Sequence, residues 1–418
     1  MAQLKDDCFA GPGELIPLET ALGDLSERLN VVAGTHTVAL VDALSLFLAE
    51  DIIAGRNVPP RDNSAVDGYA VNFDDLAPDG ETRMAVGGRI AAGHPLQGAA
   101  ERGLAYRIFT GAPMPDGFDT IFMQEDVQID GDHVVLPPGL KAGSNRRFKG
   151  EDITAGAVVV AAGRRLRPQD LGVIASVGID HVLAYKPLRA AVFSTGDEIR
   201  DPAGEAPDGC VFDANRFTVI ALLQAQGCIV DDLGILPDDE AQIGAALATA
   251  AASHDLIFTS GGVSVGDEDH VRAAVEAHGT IHFWRLAIKP GRPVALGQIG
   301  DAVFVGLPGN PVATMVTFLR VALPVVVLLA GGRDITPAFY RVATAFTYKK
   351  KTGRREWVRC RLIPGDDGVL RAEKYQSGGA GVLSSMVWAH GLVELDEDST
   401  QIKEGEMVNF LPFSEVNI

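Results

Sequence analysis

Leucine, valine and alanine recur at helical spacing over residues 14–30 and again over 37–53, which predicts two helices at the start of the chain. From about Arg56 the texture changes to glycine, proline and short alternating runs, as in β structure. Within 119–137, Val127-Gln-Ile, then Asp130-Gly131, then His133-Val-Val-Leu reads as a hairpin around a favoured turn pair. A short helix is predicted over 168–176, with Pro168 in its first turn and Gly178 ending it.

Between Leu188 and Gly332 strands and helices alternate. Strands are predicted at 190–194, 229–236 and 256–259, and helices at 214–226, 240–252 and 312–330. Such alternation implies a mainly parallel, doubly wound sheet covered by helices on both faces. Ligands of such sheets sit at the carboxyl ends of the strands. Three turns fall there: Thr195-Gly196-Asp197-Glu198, the Gly261-Gly262 loop and Leu307-Pro-Gly-Asn-Pro311. The last segment, 339–418, alternates as β structure with a Gly365–Gly368 turn and is expected to form a small β-barrel-like domain.

At 418 residues the chain is long enough for two to four domains, and 47% hydrophobic residues mark it as globular. A formal net charge of −19 argues against non-specific nucleic-acid binding and requires that any anionic ligand be held by local positive charge. Cys8, Cys210, Cys228 and Cys360 have no C-x-x-C spacing, which points to a reducing compartment. No basic-then-apolar leader is visible at the start, and Arg320 and Pro324 interrupt the one strongly apolar run, so no membrane span is expected and the location expected is cytoplasmic.

The segment 255–269 reads as apolar strand, glycine turn and acidic helix start. Glycines let the backbone approach a ligand, the free N–H groups of a helix start favour an anion, and Asp267 and Asp269 offer hard oxygens suited to Mg²⁺. Glu198, Asp238 and Asp269 all fall at or just past predicted strand ends; one such carboxylate is usually a cap, but several at one sheet edge suit a cation or a poised water. The basic counterpart is Arg285-Leu-Ala-Ile-Lys289-Pro-Gly-Arg292, where a strand would put Arg285, Ala287 and Lys289 on one face. Arg146, Arg147 and Lys149 form a second basic cluster, before Asp152; alone, such a cluster is most often a solvated turn. Gly262-Val-Ser264-Val-Gly266 also matches the nucleophile elbow of serine hydrolases, with His270, His278, His282 and His390 downstream. The acidic run after Ser264 opposes an oxyanion there, which disfavours that alternative.

Taken together, several segments resemble the molybdopterin molybdenumtransferase family, which includes MoeA and the E domain of gephyrin. They are Pro59-Pro-Arg-Asp-Asn-Ser-Ala-Val-Asp-Gly-Tyr-Ala70, Thr110-Gly-Ala-Pro-Met-Pro115, Arg146-Arg-Phe-Lys-Gly-Glu-Asp152, Ser194-Thr-Gly-Asp-Glu198, Thr259-Ser-Gly-Gly-Val-Ser-Val-Gly266, Phe283–Pro293 and Gly306-Leu-Pro-Gly-Asn-Pro311. They occur in family order and span most of the chain.

The resemblance implies four domains: 1–55 with 148–187 (helical, dimer-forming), 56–147 (glycine-rich, mainly β), 188–335 (α/β, molybdopterin-binding) and 336–418 (β-barrel-like). It implies a homodimer with a site shared between subunits, which inserts molybdenum from molybdate, its substrate, into adenylylated molybdopterin with release of AMP and a requirement for Mg²⁺. Implied partners are the adenylyltransferase that supplies the substrate and apo-molybdoenzymes that take the product; a non-catalytic scaffold of the same fold is the other alternative.

Carried over by position, Asp67, Glu198, Asp238 and Asp269 are the catalytic acids, the last three as metal ligands. Thr110, Arg147, Asp152, Ser260, Gly261, Gly262, Ser264, Arg285, Lys289, Arg292, Gly309, Asn310 and Arg354 are the substrate-binding candidates. Arg285 stands where the family often has lysine, and Ala313 where it often has serine.

Overall fold

The computed structural model describes residues 4, 15–262, 270–365 and 367–416. Its first helix, Leu18–Arg28, buries Leu18, Ala21 and Leu25, one stripe at helical spacing. That stripe packs with Leu188, Val219, Trp284 and Val312, so the helix belongs to the core of the central sheet.

The second predicted helix, over 37–53, is not formed. Thr35–Ala39 is a strand paired antiparallel with His181–Tyr185, Leu40–Asp42 is a single tight turn, and Ile52–Ile53 pairs with Val158–Val160. Thr35-His-Thr-Val is rich in β-branched residues, and a strand far along the chain satisfies its backbone; long-range pairing overrides a helical spacing of Leu and Val. Ala43, Leu48 and Ile52 then share a separate core with Leu166, Ile174 and Val182. The helix Pro168–Ser176 forms as expected, with Gly178 at φ +87° just beyond it.

The glycine-rich region is a six-stranded sheet in the order Thr120–Met123, Gly68–Val71, Leu104–Ile108, Thr82–Ile90, His133–Leu136, Gln128–Asp130. Gly68 is required by close approach, since a Cβ there would lie 1.7 Å from the Phe122 carbonyl oxygen. The hairpin loop falls on Gly131-Asp132, one residue later than the turn pair read from sequence, because Asp130 pairs with His133.

The central sheet has six strands in the order Ile229–Leu236, Arg189–Thr195, Leu256–Ser260, Ala302–Leu307, Pro293–Ile299, Gly279–Arg285. The first four are parallel and the last two antiparallel. Helices Glu240–Ala251 and His270–His278 cover one face. Asn215–Ala225 and the continuous helical run 311–329 cover the other, so the fold is doubly wound. Pro311–Leu329 is apolar enough to cross a membrane, at mean hydropathy 2.3, yet 83% of it is buried inside the protein, as befits a core helix.

The C-terminal strands close a barrel: Arg355–Pro364, Leu370–Lys374, Tyr340–Thr344, Met407–Pro412 and Gly391–Leu395, which returns to Arg355–Pro364. The central domain adds to it the two-residue strand Ile288–Lys289, parallel to Arg355–Glu356. The one continuous strand expected over 285–289 is therefore broken. Arg285 ends a strand of the central sheet, Leu286 and Ala287 are buried, and Lys289 belongs to the barrel's sheet.

Candidate functional site

The order of the parallel strands reverses between Arg189–Thr195 and Leu256–Ser260, and a cavity of about 600 Å³ opens at their carboxyl ends. Glu198, Asp238, Ser260, Gly261, Gly262, Gly309 and Asn310 line it, so the three turns read from sequence do converge. Gly262 has φ +63° and a Cβ there would meet Val271 Cγ2 at 2.7 Å, so both conformation and space demand glycine. The wall is tied by neutral hydrogen bonds: Gly261 N donates to Leu307 O at 3.1 Å, and Asn215 Nδ2 to Gly309 O at 2.7 Å. Thr195 Oγ1 donates to Asp238 Oδ1 at 3.4 Å.

Glu198 begins a strap that folds over this cavity, in which Ile199–Arg200 pairs with Val211–Phe212. Buried Arg216 clamps the strap, pairing with Asp201 at 2.7 Å, Asp213 at 3.0 Å and also Asp232 of the sheet. Glu198 and Asp238 are exposed to the cavity and in no ion pair among the described residues. Their all-oxygen donor set and open surroundings fit a Mg²⁺ that keeps water and phosphate ligands. Among the described residues no group of three acidic, His or Cys side chains is close enough to enclose a metal. Asp269 and Ser264 lie outside the described residues.

A second cavity, of about 690 Å³, lies between the central domain and the barrel and shares Gly261, Gly262, Gly309 and Asn310 with the first. Lys289 enters it from the central chain, and its Nζ is 3.1 Å from Glu356 Oε2, which also accepts from the Tyr348 hydroxyl at 3.0 Å. Arg359, which the sequence reading missed, also lines it. Its guanidinium donates to Ser385 Oγ at 3.1 Å, Ser377 O at 2.9 Å and Gly379 O at 3.2 Å. No carboxylate balances it among these partners, and burial pushes its pKa below the ordinary guanidinium value. Lys374 adds a further cation to this wall, beside Tyr375. The glycine-rich stretch 376–385 docks here, with Val312 N donating to Ala380 O at 3.0 Å.

Several expected residues stand elsewhere. Arg354 and Arg285 line neither cavity, and the alternation read for Arg285 and Lys289 fails because the strand breaks between them. Arg292 is likewise outside both linings, with its Nε buried and unpartnered. Asp67 accepts from Thr110 N and Thr110 Oγ1, both at 2.8 Å, and that backbone N–H, then the hydroxyl, hold its carboxyl below the usual carboxylate range. The pair sits on the glycine-rich sheet and borders neither cavity of its own chain. Arg147 and Asp152 are exposed, and Arg146 is bound to Asp62. Of the histidines invoked for a hydrolase, His282 bonds Leu4 O and His390 accepts from Leu362 N, both structural contacts; His270 lines the smaller cavity.

Carboxylates on one side of a glycine turn and the cations Lys289 and Arg359 on the other make an arrangement suited to oxyanions and phosphates, with no fixed covalent nucleophile among the described groups. Comparison with known proteins makes the class specific. Residues 16–178 match the MoeA N-terminal region (domain I and II), 191–327 a probable molybdopterin binding domain, and 341–413 the MoeA C-terminal region (domain IV). A molybdopterin molybdenumtransferase of Haemophilus influenzae is 38% identical over 96% of this chain and 99% of its own. A gephyrin of Dictyostelium discoideum is 26% identical over 96% of this chain and 63% of its own. The crystal structure of the molybdopterin biosynthesis moeA protein from Pyrococcus horikoshii OT3 superposes with a TM-score of 0.81 at 27% identity, covering 96% of this chain and 100% of that one. The chain belongs to the molybdopterin molybdenumtransferase (MoeA) family and is an enzyme of the transferase class. The serine hydrolase alternative finds no support among these relatives.

Proposed function

We propose that the protein inserts molybdenum from molybdate into adenylylated molybdopterin and releases AMP, within molybdenum cofactor biosynthesis. The observation that carries this reading is the junction of the two cavities. Carboxylates of one and cations of the other meet at the shared Gly261-Gly262 and Gly309-Asn310 wall. A ligand with a phosphate-bearing arm can lie across that wall, its phosphates toward Glu198 and Asp238 and its metal-accepting end toward Lys289 and Arg359. Mg²⁺, held by Glu198 and Asp238 with Asp269, would supply charge neutralisation at the phosphates. Lys289 and Arg359 orient the molybdate oxyanion, the lysine as a point charge and the arginine as a planar donor. Glu198 and Asp238 align the phosphate linkage.

Asp67 and Thr110 complete the site from a second copy of the chain, since in one chain they border neither cavity. The functional unit in this reading is a cytoplasmic homodimer that receives substrate from an adenylyltransferase and delivers cofactor to apo-molybdoenzymes. The test is AMP release from adenylylated molybdopterin with and without molybdate and Mg²⁺, with activation of a cofactor-free molybdoenzyme in the same samples. Release and activation that need both additions are expected; bound substrate with no release under any condition would overturn the assignment in favour of a scaffold.

A further inference from the structure

A third cavity, of about 620 Å³, shares no lining residue with the other two. It lies where three parts of the chain meet: 44–47 with 163–168, the helix positions 225–226 and 319–327, and the segments 334–338 and 415–416. The helical run that starts with Pro311 in the wall of the smaller cavity reaches this one at Leu319, roughly 12 Å along its axis. Most of the surface is apolar, including Phe47, Leu319, Leu323 and Val327. Its volume is that of a small-molecule pocket.

Into this apolar space comes a cation that the protein does not neutralise. Arg165 donates to Ser45 O at 3.2 Å, Gln226 Oε1 at 2.9 Å and Ala225 O at 3.3 Å, and stacks over Phe47 with 5.9 Å to the ring centroid. All three acceptors are neutral, and no ion pair of Arg165 exists among the described residues. Burial lowers its pKa, which is the signature of a charge without a counter-charge. Neither carboxylate on the same wall is bonded to it: Glu415 accepts from the Tyr340 hydroxyl at 2.7 Å, and Asp334 from Thr336 N at 3.3 Å. Arg164 and Arg167, also on the wall, share the single carboxylate of Asp170, Arg164 at 3.6 Å and Arg167 at 2.9 Å. The site is built: Gln226, buried to 9%, passes from Arg165 to Val416 O at 3.1 Å, and Ser45 holds φ +68°, outside the ordinary range of a serine, while its carbonyl meets the guanidinium.

We propose that this cavity binds a small amphipathic anion, a carboxylate or a phosphate carried on an apolar body, with Arg165 as its anchor. The two guanidinium N–H groups left over by Ser45, Gln226 and Ala225 supply charge-assisted donors to the anion, and the apolar walls take the body. Because its walls come from three parts of the fold, an occupant braces them against one another and stabilises the native state by mass action.

Saturation-transfer NMR on the full chain tests this with phenylacetate, phenyl phosphate and benzyl alcohol as probes. Both anions are expected to saturate, with Kd at least about tenfold below that of the neutral alcohol. The tighter of the two anions tells whether the physiological group is a carboxylate or a phosphate. Arg165→Gln should raise the anion Kd about tenfold and leave the alcohol unchanged. Leu44→Glu, at a half-exposed rim position, supplies the missing carboxylate from the protein itself and should block the anions while keeping the fold, so it carries the test if the first variant does not fold. Equal binding of alcohol and anions, unchanged anion binding in both variants, or no saturable binding of any probe would each overturn the proposal.

Discussion

Lys289 and Glu356 come from different domains and face each other at 3.1 Å in the wall of the larger cavity, on neighbouring parallel strands. The lysine is half exposed to the cavity and the glutamate is buried to 2%. The pair therefore sets the charge that an incoming oxyanion meets. Lys289→Ala should raise the molybdate KM by roughly 10–100-fold, while Glu356→Gln, which leaves the lysine uncompensated, should lower it. Because Lys289 is partly solvated, the second change should cost only about 1 kcal/mol of stability. Steady-state AMP release across a molybdate series, with denaturant melts alongside, reads both.

Glu198→Gln and Asp238→Asn should each slow AMP release roughly 100-fold with far-ultraviolet circular dichroism unchanged, since both side chains are exposed and hold no structural contact stronger than the 3.4 Å bond from Thr195. Raising Mg²⁺ should recover part of the loss. Wild-type rates in both would remove these carboxylates from the reaction.

Thr110 holds the Asp67 carboxyl below the usual carboxylate range through its backbone N–H and its hydroxyl. Thr110→Val removes the hydroxyl donor but leaves the backbone N–H, so the Asp67 pKa should climb toward the ordinary carboxylate value. In the wild type the Asp67–Thr110 contact is present above that ordinary value and is lost only as pH falls through the depressed one. The acid limb of the rate profile should accordingly move to higher pH in the variant, and an unmoved limb would separate Asp67 from turnover.

Asp201 anchors the strap three residues beyond Glu198, and it is half exposed. Asp201→Ala removes one of three acids around Arg216 without stranding the buried cation, so the melting temperature should change little. What should fall, several-fold, is kcat, because the strap is freed at the cavity.

Gly291 sits between Lys289 and Arg292 at φ +93°, and a Cβ there would come within 2.0 Å of Thr317 Oγ1. Gly291→Ala should cost roughly 2–4 kcal/mol, partly restored by adding Thr317→Ala. Thermal melts of the single and double variants check the coupling.

Much of this fold was legible because its α/β half obeys local rules. Strand Ile229–Leu236 and helix Pro168–Ser176 have the bounds that their apolar runs and caps imply. The strands Pro293–Ile299 and Ala302–Leu307 escaped, since both faces are buried and a continuous apolar run has no period to read. Thr35–Ala39 was misread because its partner, His181–Tyr185, lies beyond the whole glycine-rich region in sequence. Arg359 escaped for a different reason. In isolation Trp-Val-Arg-Cys-Arg is an ordinary strand, and only closure of the barrel against the central domain turns its arginine toward Lys289.

The two-residue strand Ile288–Lys289 has a consequence for how such a protein can be divided. The lysine that lines the larger cavity has its backbone held in the barrel's ladder, although its segment of the sequence lies within the central domain. Cutting the chain after residue 335 would remove the partner strand, so the severed α/β half would carry Lys289 on an unsupported loop. The barrel is thus part of the site's own masonry and not a cover laid over a finished enzyme. Any fusion, duplication or excision that keeps this chemistry must move both pieces as one inheritance.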